Sequence, residues 1–157
     1  MKYIHQVITV LAIACTHAHG STDRPDMPLK NCPAPVQATI NANASGGVVE
    51  EVDAISINGR EIYIADVDLP GDLDLKIYVA GDGALVKTRE DVPLEDTPIT
   101  ITQAVAKLGG TIDEVDKETR DKTVTWHLEI DRKGAPDLDV VVSAEGSIVS
   151  QTEDNDS

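Results

Sequence analysis

The sequence is poor in aromatic residues and in positive charge, and each shortage narrows what the chain can be. It contains no phenylalanine and a single tryptophan, so its core must consist mainly of Val, Ile, Leu and Ala. Its 13 Lys and Arg residues stand against 28 Asp and Glu residues, which gives a formal net charge of -15. Such a balance excludes nucleic acid and anionic membrane surfaces as partners, because nothing neutralises their phosphates. We expect basic or neutral partners.

A hydrophobic run long enough to span a bilayer, which takes about 20 residues, is also missing, so no membrane span is predicted. The first 20 residues, MKYIHQVITVLAIACTHAHG, combine a basic start at Lys2 with a short apolar stretch over Val7 to Cys15. Small residues then precede Gly20, and the whole predicts a secretory leader cleaved after Gly20. We therefore expect export to the periplasm or the cell exterior. Lipid anchoring through Cys15 is the alternative, although Ala-Ile-Ala before it lacks the usual Leu.

Two cysteines provide no disulfide framework. Cys15 would leave with the leader, and Cys32 is then interpreted as an unpaired, tolerated thiol in a flexible lead-in. If Cys15 were retained, a local Cys15–Cys32 disulfide would be possible.

What the chain does have is an internal repeat with an offset of 63 residues, which aligns 35–91 with 98–154 without a gap. Gly46-Gly47 falls on Gly109-Gly110 in this alignment. The predicted division is a leader 1–20, a flexible lead-in 21–34, a first repeat 35–91, a linker 92–97, a second repeat 98–154 and a tail 155–157. A unit of about 60 residues is marginal alone. The halves should therefore support each other, as one tandem body or as two small abutting lobes.

The predicted fold class is α+β, with two tandem repeats, each a helix packed on an antiparallel sheet of about four strands. In the second unit, Thr97 and Pro98 are typical of a helix start, and Gly109-Gly110 ends the helix. TVTWHLEID, residues 123–131, alternates apolar and polar residues as a half-buried strand does. The first strand, near 48–57, has apolar residues three apart at Val49 and Val52, which a bulge would reconcile with a strand.

These features occur in a recognisable order: a helix, a Gly-Gly stop, a Glu-x-Val-like first strand, a second strand bearing Tyr63 or Trp126, and a strand ending in Asp-Gly. The order resembles the PepSY-like family, including its β-lactamase-inhibitor-like branch, over 35–91 and 98–154. The resemblance implies an exported bacterial domain that binds or restrains a peptidase or another enzyme through its open sheet face. The chain departs from the family in lacking disulfide pairs and in its scarcity of aromatic residues.

The predicted partner-binding residues combine two arguments. Strand parity turns several apolar residues away from the core, and apolar residues on adjacent strands form patches that mark interfaces. The resemblance adds the matching positions of the second strand in each unit. The resulting set is Ile62, Ile64, Asp66, Asp68, Tyr78, His127, Glu129 and Val141. Docking of these residues would occlude the partner, with the surrounding carboxylates favouring a basic or neutral surface.

No catalytic, metal or cofactor site is predicted. His127 is the sole histidine after the leader, and spacing ties no nucleophile to it. Four aspartates surround Pro70-Gly71, namely Asp66, Asp68, Asp72 and Asp74. Their spacing does not fit an EF-hand, and the equivalent second loop carries Arg132 and Lys133. The sequence thus predicts a non-catalytic, exported protein-binding module that inhibits or regulates a peptidase or another envelope enzyme. The alternative is a sensor that binds a small ligand or a cation, and the oligomeric state stays open.

Overall fold

The computed structural model describes residues 24–154, in which strands dominate. The strands are β1 Arg24–Met27, β2 Val48–Ile57, β3 Arg60–Leu69, β4 Leu73–Ala80, β5 Leu85–Asp91, β6 Thr111–Arg120, β7 Thr123–Asp131, β8 Asp137–Ser143 and β9 Ile148–Asp154. Helix α1 spans Ala34–Asn43 and helix α2 spans Ile99–Val105, with single 3-10 turns at Leu29–Asn31 and Leu94–Asp96. The predicted leader with Cys15, and the predicted tail, lie outside the described residues.

All of these strands form one antiparallel sheet of nine strands, which follow one another in sequence order. The prediction of two repeats, each a helix on its own sheet of about four strands, is therefore wrong. β5 pairs directly with β6, from Thr88 opposite Thr119 to Asp91 opposite Asp116. The physical reason is that an unpaired β5 edge would leave a row of backbone donors and acceptors without partners. Alternation within a strand says which side a residue faces, and it does not say which strand lies beside it.

Both helices lie on the same side of this sheet. Val36 and Ile40 of α1 are fully buried against β4, where Ile77 is equally inaccessible. Ile101 of α2 is fully buried in a second cluster that includes Val140 of β8. The strand pairing shows that this side of the sheet is continuous across the β5–β6 junction. Glu90 and its partner Lys117 pair across the strands in the same rows as the buried residues of the two halves. The two cores therefore occupy one continuous layer.

The first strand of each half contains an irregularity that decides which side its later residues face. Pairing of β2 with β3 shifts between Val49 and Glu51, and pairing of β6 with β7 shifts between Ile112 and Glu114. The predicted bulge is thus confirmed, in both halves. One extra residue moves every following side chain to the other face. Val52 therefore enters the core, and the alternate residues beyond it point away from the helices.

The prediction that Gly109-Gly110 ends the second helix is wrong, since α2 ends at Val105 with Ala106 as its C-cap. Gly110 directly precedes β6, and its surroundings show why a glycine is needed there. Its backbone has φ +96°, and a Cβ built there would overlap the carbonyl oxygen of Asp131. Gly109 also has a positive φ, of +75°, but a Cβ there would meet nothing within 4 Å. Only Gly110 is thus required for both conformation and space. The preceding helix starts one residue later than the pattern predicts, with Pro98 as its N-cap rather than its first residue.

The segment that the sequence assigns to a flexible lead-in carries structure over the part that is described. Residues 24–27 form β1, which pairs with β2 between Val52 and Ala54. Cys32 is buried in the first core cluster, and burial raises the pKa of its thiol. A buried thiol with a raised pKa is a poor nucleophile, which agrees with a packing role. No helix among residues 24–154 is long and apolar enough to cross a membrane.

Candidate partner-binding face

The side of the sheet opposite the helices, here called the open face, carries every predicted site residue. On β3, the predicted positions alternate with the buried residues Tyr63, Ala65 and Val67. On β7, His127 and Glu129 alternate with buried residues in the same way. Tyr78 of β4 and Val141 of β8 likewise lie between buried neighbours.

The structure brings these residues together in two groups rather than one. In the first half, Ile64 lies opposite Tyr78 in the β3–β4 pairing, and Ile62 lies next along β3. In the second half, His127 lies opposite Val141 in the β7–β8 pairing. Strands β5 and β6 separate the groups.

The predicted aspartates flank the first group rather than enclosing it. Asp66 pairs with Lys76, with 3.4 Å between the carboxylate Oδ1 and Nζ, and the Lys76 side chain is exposed while that of Asp66 is half-buried. Asp68 lies directly opposite Asp74, an arrangement of like charges that destabilises the strand pair. These acidic groups therefore form a rim at the Leu69 end of β3.

A pocket opens on the first half of the open face, with a volume of about 660 Å³. Its lining consists of Ile55, Ile57, Asn58, Arg60, Ile62, Tyr78, Val86, Lys87 and Arg120. Of the predicted residues, Ile62 and Tyr78 belong to it. Ile55 and Ile57 were not predicted, because the bulge near Glu50 sets the side of the sheet that they face. Volumes of about 300–1,000 Å³ are typical of sites that enclose a ligand or a protruding side chain.

The charged side chains in this pocket lining are all cations. The Nζ of Lys87 lies 4.5 Å from the centre of the Tyr78 ring, a cation–π contact across the β4–β5 pairing. The same Nζ lies 2.7 Å from Oε2 of Glu118, and Nη2 of Arg120 lies 3.4 Å from Oε1 of that carboxylate. Within residues 24–154, Arg60 forms no ion pair. The charge in the pocket lining is thus cationic in a strongly acidic chain, which differs from the acidic surround that the sequence predicts.

Glu118 acts as the shared anion of this cationic group. Burial raises the pKa of its carboxyl, but the hydrogen bond and charge of Lys87, with His127 and Arg120, outweigh burial and hold the pKa below its usual range. For His127, burial and the nearby charge of Arg89 lower the pKa, so the ring is neutral at neutral pH. The Nε2 of His127 lies 3.7 Å from Oε2 of Glu118 and 3.4 Å from the Thr125 hydroxyl.

A second charged group crosses the β5–β6 junction beside the first. Arg89 donates hydrogen bonds from Nε and Nη2 to one carboxylate oxygen of Asp116, whose side chain is only 5% exposed. Asp91 and Glu114 lie next to it, and possible ligand atoms of these three acids lie within 4.8 Å of one another. Burial and the neighbouring Asp116 raise the pKa of both Asp91 and Glu114.

This acidic cluster is the one arrangement of three potential ligands found among the described residues. Arg89 already supplies the positive charge there. The four aspartates around Pro70-Gly71 do not converge into such a group. The cluster is therefore best described as the ionic contact that joins the two halves of the sheet.

The second predicted group borders a smaller pocket of about 250 Å³. Its lining includes Arg89, His127, Asp139 and Val141. Glu129 lies opposite Asp139 in the β7–β8 pairing, and burial followed by the charge of Asp139 raises its pKa. This half of the open face is thus more polar and more acidic than the first.

Comparison with known proteins identifies the fold. No protein-family model and no curated protein matches the sequence. Solved structures from Bacteroides species do match it. A DUF2874 family protein from Bacteroides uniformis has a TM-score of 0.62 and 20% identity, over 78% of this chain and 89% of its own. A BLIP-like protein from Bacteroides fragilis has a TM-score of 0.61 and 10% identity, over 83% and 92%. A candidate periplasmic protein from Bacteroides eggerthii has a TM-score of 0.64 and 15% identity, over 78% and 88%.

At these identities, the likeness concerns the fold alone. The chain therefore shares the fold of DUF2874 family and BLIP-like proteins. Membership of the PepSY-like family itself stays a prediction.

Proposed function

We propose that this protein is an exported, non-catalytic binding module that covers part of a peptidase or another envelope enzyme with its open face. The observation that carries the proposal is the pocket of about 660 Å³ on that face, walled by apolar side chains and left uncovered by both described helices. Ile57 in its wall is 51% exposed. A partner that buried it would remove apolar surface from water, which is favourable by about 25 cal/mol per Å².

The layout of the face supports a protein partner. Interfaces combine an apolar centre, where most of the binding energy lies, with a polar rim that excludes water. Ile62, Ile64 and Tyr78 supply such a centre here, and Asp66 with Asp68 supplies a rim. We assign His127, Glu129 and Val141 to a secondary contact on the other half of the face.

A non-catalytic role is supported by the surroundings of His127. Both Glu118 and the Thr125 hydroxyl approach the same ring nitrogen, Nε2. A relay needs the nucleophile and the orienting acid on opposite ring nitrogens. The arrangement therefore favours a structural role for the ring.

Two further observations support the location and the partner class. The predicted leader favours export, and one structural neighbour is described as a candidate periplasmic protein. Another neighbour is described as BLIP-like, which favours inhibition by occlusion for this chain. The regulated enzyme would then lie outside the cytoplasm. The resemblance to PepSY-like proteins implies that this enzyme is a peptidase or another envelope enzyme.

Capture from envelope extract tests the proposal. The purified protein is compared with the Ile62→Asp, Ile64→Asp double variant, with folding of both checked by circular dichroism. The matched control is Ile99→Asp, because Ile99 is 67% exposed and lies at the start of α2 on the opposite side of the sheet. We expect the native protein and the control to capture an enzyme that the double variant does not capture. We also expect binding of the native protein to lower the activity of that enzyme. Equal capture by all three proteins would refute the proposed face.

The second candidate is a sensor that binds a small ligand in the same pocket, which its volume favours. A thermal-shift screen of small organic molecules discriminates between the two. A rise in Tm that Ile57→Asp abolishes and Ile99→Asp keeps would favour the sensor. A screen without such a rise, combined with capture of an enzyme, would favour the protein partner.

A further inference from the structure

The charge around the open-face pocket is opposite in sign to that of the chain. The formal net charge is -15, yet the charged side chains lining the pocket are Arg60, Lys87 and Arg120. No acidic side chain is among the lining residues. This local group of cations gives the pocket a preference for negatively charged groups, which the net charge of the whole chain does not show.

The three cations are not equally satisfied. Lys87 and Arg120 share the single carboxylate of Glu118, at 2.7 Å and 3.4 Å. Arg60, at the start of β3, forms no ion pair within residues 24–154. One carboxylate therefore serves two cations, and a third has none in this part of the chain. A further carboxylate at the mouth of the pocket would complete the set of ion pairs, and an Arg can receive it in a two-pronged hydrogen bond.

The walls between these cations are apolar. Ile55, Ile57, Ile62 and Val86 line the pocket together with the ring of Tyr78. Because Ile57 and Arg60 lie opposite each other across the β2–β3 turn, an apolar contact and a cation lie side by side at the rim. A group that fits this site must therefore offer an apolar side chain and a carboxylate in close succession.

We propose that the partner enters this pocket with a surface segment in which an aliphatic or aromatic side chain lies next to an Asp or Glu. The apolar side chain fills the space between the isoleucines, and the carboxylate binds Arg60 with help from Arg120. This inference rests on the proposed function and adds the chemistry of the partner's anchor. It also differs from the expectation of a basic or neutral partner, because a basic anchor would be repelled by the cations that line the pocket.

A second copy of this chain fits the pocket less well. Two chains of charge -15 repel each other at long range, and two copies of the same cationic pocket cannot complement each other across a twofold axis. A partner with an acidic anchor is the complementary solution.

Selection from a display library of random linear peptides tests this chemistry and does not require the partner to be identified first. The native protein serves as the target, and the Arg60→Glu, Arg120→Glu double variant serves for counter-selection. We expect enriched peptides to share an Asp or Glu beside a Leu, Ile, Phe, Tyr or Trp. A synthetic peptide from the selection should bind Arg60→Glu at least about 10-fold more weakly than the native protein. The control Lys133→Glu, which alters an exposed cation on a turn of the other half, should leave its affinity unchanged.

Three outcomes would overturn the inference. They are enrichment of basic or uncharged peptides, an affinity that Arg60→Glu leaves unchanged, and a selection without enrichment. None of these refutes the proposed function, since a partner lost by the Ile62→Asp, Ile64→Asp variant would still identify the open face as the binding surface. Conversely, equal capture by all proteins in that experiment would refute the proposed function even where peptides bind.

Discussion

Replacing Arg89 with Met tests how the two halves of the sheet are joined. Met keeps much of the apolar stem and removes the charge that binds Asp116. Asp116 is only 5% exposed at its side chain, whereas Arg89 is 38% exposed. In Arg89→Met, Asp116 would remain buried beside Asp91 and Glu114 with its directly bound cation removed.

The expected loss in free energy of unfolding lies between two limits, because the Arg89–Asp116 pair is neither fully buried nor fully exposed. Breaking a fully buried ion pair costs about 3–5 kcal/mol, and an exposed pair contributes about 0–1 kcal/mol. With one partner buried and the other partly exposed, we expect the free energy of unfolding to fall by about 2–3 kcal/mol at pH 7. For a domain of this size, that corresponds to a decrease in Tm of about 10 °C.

The loss should depend on pH with a defined sign. Asp91 and Glu114 already have raised pKa values in the folded protein, because of burial and the neighbouring Asp116. The charge of Arg89 lowers the pKa of Glu114, so its removal would raise that pKa further. A carboxyl whose folded pKa is raised binds more protons in the folded state than in the unfolded state, so stability increases as pH falls through that window. The deficit of Arg89→Met should therefore shrink between pH 7 and about pH 4.5.

Urea unfolding followed by circular dichroism measures both effects. The informative control is the double variant Arg89→Met, Asp116→Asn, in which the uncompensated carboxylate is removed as well. We expect the double variant to be more stable at pH 7 than Arg89→Met alone. If it is less stable, or if Arg89→Met loses nothing at pH 7, the ionic account of the β5–β6 junction is refuted.

Two further predictions concern single residues. Gly110→Ala should lower the free energy of unfolding by more than the matched Gly109→Ala, because only at Gly110 would the Cβ also overlap a backbone oxygen. Gly109→Ala costs about 1 kcal/mol of backbone strain. Equal losses in urea unfolding would contradict the packing argument. Glu118→Gln should cost about 1–2 kcal/mol at pH 7, because the native carboxylate accepts a charge-assisted hydrogen bond from Lys87. Since the folded pKa of Glu118 is lowered, its contribution is present above the unfolded pKa and is lost as pH falls through the folded pKa. The gap between the two proteins should therefore narrow as pH falls below the unfolded pKa of about 4.3, and a gap that stays constant or widens on further acidification would contradict the assignment.

The internal repeat, and the side of the sheet that residues on the regular strands face, could be predicted from the sequence. Both follow from local spacing, such as the alternation around Trp126 or the bulge that Val49 and Val52 required. The pairing of β5 with β6 could not be predicted in this way, because it depends on which strand lies beside another. One signal was available in the repeat. Lys87 and Arg89 of β5 correspond to Ser150 and Thr152 of β9, so only the strand that pairs onward carries the cations.

Only part of the candidate site could be predicted, because local spacing shows the side that a residue faces but does not show which strands lie side by side. Ile62 and Tyr78 lie on regular strands, where parity is sufficient. Ile57 was missed because its side depends on the bulge upstream, and Lys87 and Arg120 were missed because they reach the pocket from β5 and β6. Composition indicated an acidic surface, and it could not show that the pocket itself concentrates positive charge.

The affinity of the captured partner for two variants with the same substitution tests the central claim most directly. Ile57→Asp alters the pocket of the open face, and Ile99→Asp alters a comparably exposed residue on the helix side. Isothermal titration calorimetry should show a loss of at least about 10-fold for Ile57→Asp, equivalent to 1.4 kcal/mol, and no change for Ile99→Asp. Equal affinities for the two variants, or a loss confined to Ile99→Asp, would contradict the assignment of the open face as the binding surface.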